Sequence, residues 1–269
     1  MEITKYYLTK NDCYRAGVSF KPRGIIVHST GANNPNLRRY IGPDDGVLGV
    51  NTNGNHWNQS GVDKCVHAFI GKDKFGKVRI YQTLPWDMRG WHAGTRIGND
   101  GYIGFEICED ALYDLAYLKE CFDLAVGLCA YLASEMSIDV KNIIGHYEAA
   151  KLGVASNHAD PAHWFGRWGL SMDLLRARVT EKLKEGEDEV DQTPVYINGL
   201  KYDAHVYGGK TFVELRQFAG DLGCEVKYQG TTAKGTVIVP PPEKVCVCDQ
   251  TDLDEVKRAL NVLRKFMGV

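Results

Sequence analysis

Two rhythms of apolar and polar positions run along the first two thirds of this chain. Short unbroken apolar runs closed by glycine or small polar residues, as in Gly24-Ile25-Ile26-Val27-His28-Ser29-Thr30-Gly31, predict buried strands, and His28 stands at the end of this one. Cys65 to Gly71 and Lys77 to Gln82 predict two more, joined as a hairpin across Lys72-Asp73-Lys74-Phe75-Gly76. Gly101 to Cys108 predicts another, with Glu106 inside an otherwise apolar run. Between 115 and 136 the rhythm changes, because Leu118, Phe122, Ala125, Cys129, Leu132 and Met136 recur at alternating spacings of four and three and so share one helix face. Val140 to Ile144 predicts a short strand ending at Gly145-His146, and Met172 to Leu183 a second amphipathic helix. From Ala32 to Asp63 little periodicity survives among Asn, Gly, Pro and Asp, which predicts a long surface loop of the kind that usually serves function. Strands interleaved with helices predict an α/β domain, a central mixed sheet flanked by helices.

A second, smaller unit is expected after an acidic stretch. Residues 181, 185, 187, 188, 189 and 191 are acidic and Pro194 follows, so 181–193 is expected to be a linker between a domain over 1–180 and a small α+β domain over 194–269. Within the latter, Val195 to Gly199 predicts a strand and turn, Thr211 to Leu222 a short helix, Cys224 to Tyr228 and Gly235 to Val239 strands, and 251–267 a final helix.

Composition narrows the function classes. The 269 residues are 44% hydrophobic and 25% charged, which excludes a disordered, collagenous or coiled-coil chain. A net charge of −2 gives no field that would draw the protein to nucleic acid or to an anionic membrane, so neither is an expected partner. The first residues carry no apolar h-region, and no stretch approaches the roughly 20 apolar residues of a membrane span. Cytoplasmic synthesis without a signal peptide is the resulting expectation. The eight cysteines are then expected as reduced thiols, mostly small core residues, and Cys246-Val247-Cys248 is too closely spaced for good zinc geometry.

Three polar side chains break the apolar strands: His28, Glu106 and His146, the last followed by Ser156-Asn157-His158-Ala159-Asp160-Pro161. Burial there requires partners. Two imidazoles and a carboxylate suit a zinc ion that keeps one position for water, with a further carboxylate to take the water's proton. The residues alone reach a zinc hydrolase and no further.

Six segments together resemble one family. Ile25-Ile26-Val27-His28-Ser29-Thr30, Val66-His67-Ala68-Phe69-Ile70-Gly71, Trp91-His92-Ala93-Gly94, Ile103-Gly104-Phe105-Glu106-Ile107-Cys108, Ile144-Gly145-His146-Tyr147-Glu148 and Asn157-His158-Ala159-Asp160-Pro161 are similar, in that order, to segments of the type-2 zinc-dependent N-acetylmuramoyl-L-alanine amidases, relatives of peptidoglycan recognition proteins and phage endolysins. The resemblance implies a zinc groove at the strand ends, with zinc bound by His28, His146 and Asp160, Glu106 as the catalytic glutamate, and His158 where members often carry an oxyanion-stabilising lysine. The 14-residue gap from His146 to Asp160 is longer than in the typical member, so His158 and, more distantly, His163 compete with Asp160 as third ligand. His67, Trp91 and His92 are candidates for substrate binding or for packing, and His56 and Trp57 for the groove rim.

The segments Val195-Tyr196-Ile197-Asn198-Gly199, Gly209 to Ala219 and Leu222 to Val226 resemble the small repeat found at the N-terminus of copper amine oxidases, for which wall anchoring or oligomerisation is the role by analogy. The implied function is a peptidoglycan amidase of bacterial cell-wall degradation, an endolysin released to the wall after synthesis. A non-catalytic peptidoglycan-binding module and a cytoplasmic muropeptide-recycling amidase are the alternatives.

Overall fold

A computed structural model describes residues 1–188 and, beyond them, 191–197, 200–207, 210–213, 215–221, 223, 225–228 and 236–239. The chain divides into two compact units, Met1–Asp188 and Glu189–Val269.

The first unit is built on six strands, β1 (Ile3–Lys5), β2 (Gly24–Ser29), β3 (Ala68–Lys72), β4 (Val78–Gln82), β5 (Tyr102–Ile107) and β6 (Ile143–Gly145), in the spatial order β1-β4-β3-β5-β2-β6. The β3–β4 pair is the predicted antiparallel hairpin, and every other pairing is parallel. The helices are α1 (Asp12–Ala16), α2 (Arg96–Asn99), α3 (Leu115–Met136), α4 (His146–Lys151), α5 (Ala162–Phe165) and α6 (Met172–Asp188). This is the mixed sheet flanked by helices that the sequence pattern predicts.

Alternation along β2 and β5 sends neighbouring residues to opposite faces. Ile25, Val27, Ile103, Phe105 and Ile107 join the main core with Leu118, Phe122, Ala125, Cys129 and Leu132 of α3 and Leu175 and Val179 of α6. The intervening positions, which include His28, Gly104 and Glu106, face the other way, above a small cluster of Ile26, Ala93, Ile144, Ala149 and Ala155. The α3 helix spans the predicted residues, opened by the Asp114 carboxylate, which accepts from the Tyr117 N–H, and closed by Ser137 in the left-handed conformation.

Three expectations differ from what is observed. The stretch 32–63 is more than a surface loop: Leu37, Tyr40, Ile41 and Leu48 are buried with Phe69 and Tyr81 in a second core, and Trp57 packs on Tyr40 and Phe69 rather than on a groove rim. Isolated apolar side chains without period still fill a core when the chain loops back over a sheet face. The expected strand from Val140 is a 3-10 turn over Val140–Asn142, three strand residues, and then a helix that starts at His146 itself. The expected linker over 181–193 is helical through Asp188, since its Glu and Lys residues are good helix formers whatever their charge. Cys65, Cys108, Cys121 and Cys129 are buried free thiols, as core residues should be, and Cys13 is half-buried and free.

The second unit contains β7 (Asp191–Ile197), β8 (Leu200–Tyr207), β9 (Lys210–Val213), α7 (Leu215–Asp221), β10 (Glu225–Tyr228) and β11 (Thr236–Val239). The strands form an antiparallel three-stranded sheet β7-β8-β9 and an antiparallel pair β10-β11. The expected helix from Thr211 is divided into the end of β9 and α7, and β8 has no counterpart in the sequence reading. The expected final helix over 251–267 and the Cys246-Val247-Cys248 pair lie outside the described residues.

Candidate metal centre

The site is assembled where parallel strands end. His28 is the penultimate residue of β2, and β6 beside it delivers His146 as the first residue of α4. The turn into α4 is held by Glu148, whose carboxylate accepts from the Gly145 N–H at 2.9 Å. Arg176 of α6 grips that carboxylate through both terminal nitrogens, at 2.9 and 3.0 Å, and also donates to the Ile143 carbonyl at 2.9 Å. Burial works against ionisation of Glu148, but Arg176, the Gly145 N–H and the Tyr147 hydroxyl together outweigh it and the pKa lies below its usual value.

Asp160 arrives from the segment after α4, its carbonyl accepting from the Tyr147 N–H and one carboxylate oxygen 3.3 Å from the Ser29 N–H. Its carboxylate faces Nδ1 of His28 at 3.3 Å and Nδ1 of His146 at 3.2 Å, and those two nitrogens are 3.0 Å apart. Burial opposes the Asp160 charge, yet the facing His146 and His28 imidazoles prevail and hold its carboxyl well below the usual carboxylate range. Burial lowers the pKa of His28, with the Asp160 contact working against that shift.

Two facing imidazole nitrogens and a carboxylate are the donor set of a zinc site with one position left open. Tetrahedral zinc with bonds of about 2.0–2.1 Å sets its ligand atoms about 3.3 Å apart. The three observed separations fit that geometry. Of the three residues weighed for the third position, the structure brings Asp160 to the histidine pair. His158 is exposed on the opposite side of His146, with Nδ1 3.3 Å from His146 Nε2 and 3.0 Å from Ser156 Oγ. His163 instead contacts Glu109 at 2.9 Å.

Glu106 projects from β5 on the same side as His28, and one of its carboxylate oxygens is buried with no hydrogen-bond partner among the described residues. Burial, reinforced by the charges of Asp160 and Glu109, pushes its pKa well above the usual value. An unpartnered buried carboxyl is costly for folding alone. Next to a metal position it is a group able to hold and release a proton.

His67 is fully buried: Nε2 donates to the Met88 carbonyl at 2.8 Å, Nδ1 accepts from the Gly104 N–H at 3.1 Å, and burial lowers its pKa to about 4. Both ring nitrogens are thus engaged by backbone groups. Trp91 is 40% exposed while its backbone exchanges two hydrogen bonds with Cys65. His92 sits behind His28, Nδ1 to Nε2 at 3.0 Å. The sequence reading passed over Glu109 and Asn99. Glu109 is buried and takes a 2.5 Å hydrogen bond from the Ser29 hydroxyl, and Asn99 accepts at 2.9 Å from the backbone N–H groups of both His92 and Ala93. No local pattern marks Glu109, whose partner Ser29 is 80 positions away.

Residues 19–163 match the family described as N-acetylmuramoyl-L-alanine amidase, more than half of the chain. The chain belongs to that amidase family. Among curated proteins this chain is 26% identical over 175 residues to a bifunctional autolysin of Staphylococcus aureus, a match over 63% of this chain and 12% of that protein. The chain thus spans a small part of the length of that relative. Its fold is similar to the crystal structure of the Staphylococcus aureus hydrolase AmiA in complex with its ligand, with 24% identity, a TM-score of 0.51, and coverage of 71% of this chain and 87% of that one. A mutant endolysin from Bacillus subtilis aligns at 25% identity and a TM-score of 0.47, over 66% of this chain and 99% of that chain.

Proposed function

We propose that this protein hydrolyses the amide bond between N-acetylmuramic acid and the L-alanine of the stem peptide in bacterial peptidoglycan, with zinc held by His28, His146 and Asp160. The observation that carries the reading is the convergence of three side chains able to ligate a metal beside a half-buried glutamate, one of whose carboxylate oxygens is buried and unpartnered among the described residues. Membership of the amidase family supports the substrate class.

Bound at these ligands, zinc supplies Lewis-acid polarisation of the amide carbonyl and a more acidic water. The protein's own side chains do the rest. Glu106 takes the proton of the attacking water and returns it to the departing alanine amine, a role suited to a carboxyl whose surroundings raise its proton affinity. His158, exposed beside His146, donates a hydrogen bond to the tetrahedral oxyanion, and Trp91 offers an aromatic face to the sugar–peptide substrate. Residues 194–269 are assigned an accessory role, wall anchoring or self-association, which wall-pelleting and sedimentation of the full chain read out separately.

The deciding experiment is mass spectrometry of the soluble products released from purified Gram-positive walls, with and without a zinc chelator. New free L-alanine amino termini that vanish with chelator are the expected result. New reducing sugar ends, or wall binding without products, overturn the reading.

A further inference from the structure

The second nitrogen of His28 is where the amidase reading, on which this inference rests, extends to a residue with no assigned role. An imidazole binds a metal through a nitrogen that carries no proton, and which nitrogen that is depends on the hydrogen bond made by the other. In His28 the nitrogen turned toward His146 and Asp160 is Nδ1, and Nε2 points at Nδ1 of His92, 3.0 Å away. The other end of His92, Nε2, lies 3.1 Å from the Tyr102 carbonyl oxygen. A carbonyl oxygen only accepts, so His92 Nε2 carries the proton. Among the described residues the ring's hydrogen-bond contacts are this carbonyl and His28, with no carboxylate that would balance a charge, so the ring is neutral and its Nδ1 is an acceptor. His28 Nε2 must therefore be the donor, and its Nδ1 presents a lone pair.

We propose that His92 is a positioning residue for the metal centre: it receives the His28 Nε2–H, and so fixes the tautomer and ring orientation that aim the His28 Nδ1 lone pair at the metal.

Three further features hold His92 in place. Asn99, fully buried, accepts from the backbone N–H groups of both His92 and Ala93 at 2.9 Å. Asn99 itself ends α2, whose first turn is capped by the Thr95 hydroxyl accepting from Gly98 N–H at 3.1 Å. At residue 104 of β5, a Cβ would lie within 2.5 Å of three atoms of the His92 ring. Any side chain at that point would collide with the imidazole. The Gly104 opening, the Asn99 clamp and the Tyr102 carbonyl thus all fix one ring. A ring kept only for packing requires none of its nitrogens to be matched in direction.

The test reads zinc affinity and proton position rather than turnover. His92→Phe keeps the ring and removes the acceptor; His92→Gln restores an acceptor and a donor on one side chain. Competition with a chromophoric chelator should show His92→Phe binding zinc about 10–100-fold more weakly than wild type, the usual loss for a partner behind a metal ligand. His92→Gln should recover part of that affinity. Imidazole ¹⁵N NMR of the zinc-loaded wild-type protein should find His92 protonated at Nε2 alone and a protected His28 Nε2–H coupled to His92 Nδ1. A His92 proton on Nδ1 overturns the proposal, as does wild-type zinc affinity in His92→Phe. If His92→Phe fails to fold, the wild-type proton positions decide alone. A wild-type protein that takes up no zinc overturns the amidase reading and this inference with it, whereas zinc uptake unaffected by His92→Phe overturns the inference alone.

Discussion

Glu106 and His28 are register partners in the parallel pairing of β5 with β2, so a carboxyl and an imidazole leave adjacent strands side by side on one face of the sheet. The pairing separates two roles that a single substitution distinguishes. Glu106→Gln keeps the shape and leaves all three metal ligands in place, so zinc content by atomic absorption should stay near that of wild type. Release of muropeptides should fall about 10²–10⁴-fold, the usual contribution of a positioned acid or base. Full activity in this variant would remove Glu106 from the chemistry.

The third ligand is open to a thermal-shift measurement. A metal that binds only the folded state stabilises it by about 2.7 kcal/mol when present at 100 times its dissociation constant. Zinc should therefore raise the Tm of the wild-type protein and of His158→Ala, and leave Asp160→Ala unmoved. The reverse pattern would make His158 the ligand.

The Arg176–Glu148 contact ties α6 to the turn that launches His146. Arg176→Met retains the side chain's apolar stem but takes from the partly buried Glu148 carboxylate the two guanidinium donors. Loss of charge-assisted hydrogen bonds of this kind costs about 1.5–3 kcal/mol. Urea denaturation should show a lower midpoint with the same slope. Zinc affinity should fall with it, since the α4 start is no longer held.

Asp73 predicts a pH dependence of stability remote from the metal. It is buried in the β3–β4 turn, where it accepts from the Phe75 and Lys77 N–H groups at 2.8 and 3.0 Å and from Arg79 Nε at 2.6 Å. Burial opposes its charge, but the Arg79 bond and the two backbone donors hold its pKa below the usual value. A depressed carboxyl pKa stabilises the fold above the unfolded value of about 3.9 and stops doing so as pH falls through the folded value. Asp73→Asn should therefore cost about 1.5–3 kcal/mol at pH 7 in denaturant titrations, and the gap to wild type should close as pH drops below about 4. A gap that stays constant with pH would assign the effect to turn geometry alone.

How far the sequence foretold this arrangement depends on the range over which each residue acts. The α3 helix was legible because its apolar residues repeat within a few positions, and β2 because its apolar run is unbroken. His28, Glu106 and His146 stood out because a polar side chain in such a run needs a partner. The burial of Leu37, Tyr40, Ile41 and Leu48 was not legible, because what covers them comes from β3 and β4 and no local period announces it. The choice between Asp160 and His158 was equally closed to spacing: both lie within three residues of each other, and only the path of the chain back toward Ser29 separates them. Asn99 and Gly104 belong to the same class, two unremarkable residues given meaning by a ring that neither adjoins in sequence.

The two facing histidines are 118 positions apart along the chain. Loops of that length close late, after local helices and the hairpin have formed, because their entropy must be overcome before any contact across them contributes. The parallel strands β2 and β6, which bring the two rings together, are thus complete before a cation finds a place to bind. If the proposed site holds zinc, its uptake should follow folding rather than cause it, and a chelator should strip the ion from a chain that keeps its sheet.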